Sequence, residues 1–241
     1  MLALLAALAA APLPPDTTAL PFAPGERLDF SVEFGGLDLG SAFMEVVGPD
    51  VIRGHATVRL RMGVRLAALG FAADDTLDSW LDRDQLVSRR FHRRQHQTGR
   101  HRDQRFEIDP ENRRYTRHDS DAEYLSAADP LDDVSFLYVV RTLPLEAGRT
   151  YRWSRYFEPE KNPVTVEVLG RESLRLPDGS EVACLVLAPV VGTRGLFAPT
   201  SRARLWLTDD ARRLPVQIAG RFGPGEGTLR LRRLRPAGAA G

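Results

Sequence analysis

Seven arginines and three histidines crowd into residues 89–105 of the 241-residue chain: Arg89, Arg90, Arg93, Arg94, Arg100, Arg102 and Arg105, with His92, His96 and His101, against the single acid Asp103. Guanidinium forks meet phosphate and carboxylate oxygens in pairs, so the chemistry this cluster suggests is recognition of an anion. If residues 86–96 and 100–108 pair as a hairpin across Thr98-Gly99, the two strands present a basic ribbon. The plainer alternative is a solvated pair of edge strands whose charge prevents sheets from adding to one another. Metal chemistry fits poorly. His92 and His96 would share one face of a strand but stand about 13 Å apart along it, too far for one ion, and no cysteine pair or His-Glu-x-x-His motif supports them. No cofactor is expected.

Signatures of catalysis are thin. The chain has no Gly-x-Ser-x-Gly elbow, no phosphate-binding Gly-Lys-Ser/Thr loop and no dinucleotide glycine fingerprint. The acid pairs Asp74-Asp75, Asp132-Asp133 and Asp209-Asp210 are adjacent in sequence, and each falls where a turn or helix end calls for aspartate. A glycosidase-like pair contributed by separate strands stays open, because such neighbours are invisible in one sequence.

The elements that would position these groups are mostly strands. Leu28, Phe30, Val32 and Phe34 alternate with polar residues, as do Val58, Leu60, Met62, Val64 and Leu66. Similar patterns recur at 151–157, 164–168, 204–208, 215–218 and 228–231, separated by turn clusters such as Gly48-Pro49-Asp50, Asp109-Pro110-Glu111-Asn112 and Pro177-Asp178-Gly179. The template gives about ten to twelve strands. One apolar and one polar face means a single large antiparallel sheet, curved or closed as a barrel, around one core.

One segment breaks the pattern. Asp132 or Asp133 offers a helix start, Phe136, Leu137, Val139, Val140 and Leu143 cover nearly the whole circumference, and Pro144 stops it. A helix apolar all round is enclosed. The spacing predicts a helix over about 132–143 on the concave side of the sheet, either as a structural plug or as a mobile lid over a ligand cavity.

Composition narrows the setting. Hydrophobic residues make up 43% of the chain, charged residues 27%, and the net charge is +1, which gives the whole molecule no bias toward nucleic acid. Leu2–Ala11 is an unbroken Leu/Ala run, too short to span a bilayer and suited to the core of an export signal, with small-x-small cleavage positions at Ala7-Leu8-Ala9 and Ala9-Ala10-Ala11. Residues 1–20 are therefore expected to be signal and linker, 21–235 a single β domain, and 236–241 a flexible tail. A periplasmic location follows, without a transmembrane span in the mature chain, and nucleic acid is not an expected partner. The lone Cys184, within Val182-Ala183-Cys184-Leu185-Val186, has no internal disulfide partner and reads as a buried strand thiol.

Several blocks carry a family resemblance. Pro21-Phe22-x-x-Gly25-Glu26-x-Leu28-x-Phe30-x-Val32 followed by Gly35-Gly36 and Gly40, the 130–144 segment, Lys161-Asn162-Pro163-Val164, and Trp206-Leu207-Thr208-Asp209-Asp210-x-Arg212-Arg213-Leu214-Pro215-Val216 resemble, in order and spacing, the domain of unknown function 3108 family of exported bacterial proteins. The resemblance covers roughly residues 21 to 234. The closing tryptophan strand, acidic turn and Leu-Pro strand are also similar to LolA-like lipoprotein carriers, a likeness of fold that transfers no function. The family resemblance implies an envelope β protein and supplies no catalytic residues.

The expected function is accordingly a non-enzymatic binding or carrier module for a lipid, lipopolysaccharide or acidic polysaccharide. Its apolar groove would be lined by Leu60, Met62, Leu137, Tyr138 and Trp153, and its basic rim formed by Arg89, Arg90, Arg93, Arg94, Arg102, Arg105 and Arg141. Two other readings stand beside it: an envelope scaffold that captures protein partners by strand addition, and a polysaccharide-acting enzyme.

Overall fold

The computed structural model describes residues 20–68, 70–120, 122–192, 195–222 and 225–238. Within them, fourteen strands form one antiparallel sheet: β1 (Arg27–Phe34), β2 (Leu37–Ile52), β3 (His55–Ala68), β4 (Phe71–Asp82), β5 (Ser88–Gln97), β6 (Arg100–Asp109), β7 (Arg114–Arg117), β8 (Glu123–Leu125), β9 (Thr150–Trp153), β10 (Val164–Arg175), β11 (Glu181–Val190), β12 (Arg204–Thr208), β13 (Pro215–Phe222) and β14 (Gly225–Arg235). The excess over the expected ten to twelve includes β7 and β8, whose four and three residues are too short to display an alternation, while the strand expected over 151–157 ends at Trp153. Residues 1–19 of the expected signal and linker and residues 239–241 of the expected tail lie outside the described residues.

The order across the sheet is β8-β7-β6-β5-β4-β3-β2-β1-β14-β13-β12-β11-β10-β9. Two meanders are therefore joined by one long-range pairing, β1 against β14, with Phe30 opposite Leu231 and Val32 opposite Leu229. Register shifts interrupt several ladders, as at Val46/Gly48 and Val168/Gly170. Gly48 (φ 149°) and Gly170 (φ 158°) supply the backbone conformation that L side chains avoid there. Such bulges bend and twist the sheet, which curls it around its apolar face without closing its hydrogen-bond ladder.

The two free edges, β8 and β9, are consecutive in the chain, and the segment between them carries the only α-helix among the described residues, α1 (Ser135–Val140). Its approach stitches the seam. The Ser88 amide donates to Pro130, Leu131 donates to Arg155, and Phe157 donates back to Leu131. Every residue of α1 is buried. Its start meets Ser79 and Ser88 near the β4–β5 turn, and its end meets Glu26 and Arg212, before β1 and in the β12–β13 turn. The helix thus plugs one end of the roll. It is shorter than the expected 132–143 because its last turn tightens to three-residue bonds, Arg141 to Tyr138, Thr142 to Val139 and Leu143 to Val140.

Asp132 caps the helix as expected. Its Oδ1 accepts the Val134 and Ser135 amides, each at 2.9 Å, while Ser135 Oγ accepts the Asp132 amide at 2.8 Å in a reciprocal arrangement. Ser79 Oγ donates to Asp132 Oδ2 at 2.6 Å. Asp133 turns away and meets Arg93 and Tyr156 instead. At the other end Arg141, expected on the rim of a ligand groove, is buried. It holds Glu26 bidentately (Nη1–Oε1 2.7 Å, Nη2–Oε2 3.0 Å) and donates to the carbonyls of Pro21 and Arg212.

Two predictions follow from the plugged end. Arg141→Ala leaves Glu26 buried without its partner and lowers unfolding free energy in urea by about 3–5 kcal/mol, whereas Arg141→Met with Glu26→Leu loses much less; equal losses would place the stabilisation in packing rather than in the ion pair. Burial pushes the Asp132 carboxyl from its ordinary 3.8 up to about 6, against the lowering effect of the hydrogen bonds it accepts. Between these values the folded chain holds a proton that the unfolded chain has lost, so this group's contribution is complete below about pH 4 and declines as pH rises through 6. The stability of the wild type minus that of Asp132→Asn is expected to fall by about 3 kcal/mol from pH 4 to pH 7; a flat or rising difference would show that the cap is ionised throughout.

Candidate functional site

The interior of the roll is filled unevenly. In the half nearest α1, Phe91, Phe106, Tyr115, Tyr156 and Phe157 pack ring against ring, with centroid separations of 5.1 Å for Tyr115–Phe157 and 5.2 Å for Phe106–Phe157. Toward the opposite end, where the β1–β2, β3–β4 and β5–β6 hairpins turn, the inward positions of β2 to β4 carry smaller or thinner side chains. Ala42, Met62 and Val64 leave there a cavity of about 570 Å³. That volume lies within the range of about 300–1,000 Å³ common to small-molecule sites. Its walls are Phe30 and Val32 of β1, Ala42 and Met44 of β2, Met62, Val64 and Leu66 of β3, Leu77 of β4, Ile218 of β13, Leu229 of β14, and Leu196 from the β11–β12 connection. Phe71, at the tip of β3–β4, stands 46% exposed at its mouth. The lining follows from the period-2 alternation read in the sequence.

This placement corrects the expected lining. Met62 is the one residue of the expected set on the cavity wall. Leu60 lies one inward position closer to the plug and is fully buried, and Leu137 and Tyr138 are buried within α1. Trp153 belongs to the edge strand β9, away from the cavity. The helix is a plug, as one of its two expected roles had it, and it closes the end opposite the cavity instead of covering the mouth.

The hairpin expected over residues 86–108 is present as β5 and β6, in register from Arg90↔Glu107 to Gln97↔Arg100. Its arginines divide by face. Arg89 is buried, its Nε on Asp82 at 2.8 Å and its terminal nitrogens on Glu111 at 2.9 and 2.8 Å, so it ties the β4–β5 and β6–β7 turns together and is no rim residue. Arg89 in turn holds the Glu111 carboxyl down at about 2. On the outer face Arg90 meets Glu107 at 2.7 Å, with Arg105 at 3.7 Å from the same carboxylate, and His92 meets Asp103 at 2.6 Å. Arg94 binds the buried Asp78, which Arg59 and Arg61 also hold from β3. These carboxylates sit on neighbouring strands, which is why a count along one stretch of sequence overstated the free positive charge.

On the inner face Arg93 reaches Asp133 at 2.8 Å. Arg102, cross-strand from Gln95, has no carboxylate partner of that kind among the described residues: burial lowers its guanidinium from the ordinary value, the charges of Arg100 and Arg93 lower it further, and Glu158 opposes them. Gln95 and Asp75 are polar groups on the cavity wall, and both the Gln95 and Gln97 amides donate to Asp75 Oδ2, at 3.2 and 2.6 Å. Sequence reasoning placed Asp75 at a turn, whereas it lies within β4. Its inward position follows from the pairing Val64↔Asp75, a register that the alternation of β3 alone cannot supply. No group of histidine, cysteine, aspartate and glutamate among the described residues is arranged to hold a metal. Cys184 is buried in β11, as expected, and burial pushes its thiol up to about 11.

Among solved structures, the fold is similar to that of a beta-barrel-like protein of the domain of unknown function DUF1849 from Brucella abortus, with a TM-score of 0.57 at 10% identity over 90% of this chain and 99% of that one. A candidate lipoprotein from Parabacteroides distasonis aligns at a TM-score of 0.37 and 10% identity, over 90% of this chain and 98% of that one. The first likeness is one of fold alone. No curated protein matches the chain. Residues 29–232, from within β1 to within β14, match the family described as "Protein of unknown function (DUF3108)". The chain belongs to the DUF3108 family.

Proposed function

We propose that the protein is a non-enzymatic binding or carrier module of the bacterial cell envelope whose cavity takes up the hydrocarbon part of an amphiphile. The observation that carries this reading is a hollow, almost wholly apolar interior open at the hairpin end and stopped by α1 and its aromatic neighbours at the other. Such a space excludes water from a hydrocarbon chain at little cost to the protein, since its walls are already apolar. The apolar lining favours a lipid over an acidic polysaccharide as ligand. The Leu2–Ala11 run supports an exported, periplasmic setting.

Strand addition by a protein partner has less to support it. The free edges, β8 and β9, offer three and four residues, few backbone groups for a partner strand to engage.

Titration with the neutral dye N-phenyl-1-naphthylamine is expected to give saturable, one-to-one fluorescence enhancement. Val64→Trp, which fills the cavity from β3, should weaken the dye about tenfold or more while keeping the thermal transition cooperative. Undiminished dye binding by the folded variant would remove the cavity as the site. Native mass spectrometry of protein expressed in a Gram-negative host is expected to show a retained lipid; its absence together with no dye uptake would sink the carrier reading.

A further inference from the structure

Apart from Glu33 of β1, which pairs with Arg230 and Arg232, the polar groups of the cavity wall, Asp75 and Gln95, lie on one side, where the β5–β6 hairpin turns its inner face toward the mouth. Register places Arg93, Gln95 and Gln97 opposite Gln104, Arg102 and Arg100, and the same alternation carries the buried Phe91 and Phe106, so all six face inward. Gln95 lines the cavity. Arg102 stands directly across from it, at the roughly 4.5–5.5 Å between Cα atoms that separates paired residues in an antiparallel ladder.

The outer-face arginines Arg90 and Arg94 each meet a carboxylate, and Arg93 has Asp133. Arg102 is different. It is partly buried, the like charges of Arg100 and Arg93 act on it, and Glu158 opposes them without a hydrogen bond to it. A guanidinium stays protonated under such conditions, so it remains a cation with no ion-pair partner among the described residues, beside an apolar hollow. Asp75, the wall carboxylate beside Gln95, is engaged by the two glutamine amides and makes no ion pair with Arg102.

Resting on the carrier reading above, we propose that this edge is the headgroup site of a single-chain anionic amphiphile. Arg102, with Arg100 behind it at the hairpin tip, takes the phosphate or carboxylate, and the cavity takes the one acyl chain. The commitment to one chain comes from space: about 570 Å³, closed below by α1 and the aromatic cluster, gives a second chain nowhere to go. The commitment to an anion comes from the uncompensated cation, whose forked donors suit either oxyanion.

The test is calorimetric titration of the full chain with three ligands kept below their micelle concentrations: 1-palmitoyl lysophosphatidate, palmitate and the uncharged 1-monopalmitin. At least one of the two anions is expected to bind about tenfold or more tightly than monopalmitin, and the tighter of the two names the headgroup. Arg102→Gln with Arg100→Gln should bring the anions to the affinity of monopalmitin and leave monopalmitin unchanged. Arg105→Gln, on the outer face of the same hairpin, should keep the preference. Thermal melts establish that each variant is folded. Equal binding of charged and neutral chains by the wild type would overturn the headgroup site while leaving the cavity reading intact. A preference that survives the double variant would overturn its assignment to Arg102. Failure of all three ligands would overturn both readings, and binding of dipalmitoyl phosphatidate as tight as that of the lysolipid would overturn the single-chain commitment.

Discussion

An open sheet always has two edges, and here the edges are neighbours in sequence, so the chain between β8 and β9 must travel from one to the other. That constraint organises the molecule. The travelling segment laces the seam through Pro130 and Leu131, then folds as α1 across the end it has reached. A short helix of six residues has little stability of its own. It persists because Asp132 satisfies its first amides, Arg141 anchors its end to Glu26, and every side chain between them is buried. One stopped end makes a cup of what would otherwise be a sleeve, and the cavity at the far end is a consequence.

The abundance of arginine has a structural use that a charge count conceals. Of the 33 basic residues only Lys161 is a lysine, and the planar guanidinium can span strands and share one acceptor among several donors. Asp78 shows this best, buried on the outer face with Arg59, Arg61 and Arg94 around it. Burial raises its carboxyl, but hydrogen bonds from Arg61 and Arg59 outweigh that and keep it below the usual range. Exposed pairs on the same face, such as Arg65 with Asp74, add little stability individually. The larger effect of the outer-face pairs is to neutralise one face of the hairpin and leave the other face charged.

Much of the architecture was legible because alternation is a local property. Leu28, Phe30 and Val32 announce β1, the 86–96 and 100–108 pairing announces β5–β6, and Pro144 with Asp132 bounds the helix to within a turn. The same locality explains what was missed. Whether Leu60 or Val64 faces a void depends on what fills the interior beyond it, and only Val64 lines the cavity while Leu60 is fully buried. Whether Arg94 or Arg102 is free depends on acids contributed by other strands. The helix was read correctly as enclosed, yet nothing in its own sequence says which end of the roll it closes. That follows from Glu26 and Arg212, far away in the chain.

The pairing of β1 with β14 sets a kinetic condition on this protein. Arg27 lies opposite Arg235, so the first strand made is completed only by the last. Contacts so distant along the chain must wait for a large loop to close, and topologies dominated by them fold slowly. Each meander can pair its own hairpins beforehand, but the two halves lack a common core until the final ladder forms. The same proximity of the terminal strands means that the chain could be joined end to end and reopened at a hairpin such as Thr98-Gly99 without changing any neighbour in the sheet. The path of the chain through the open sheet is, in effect, a ring with a movable beginning.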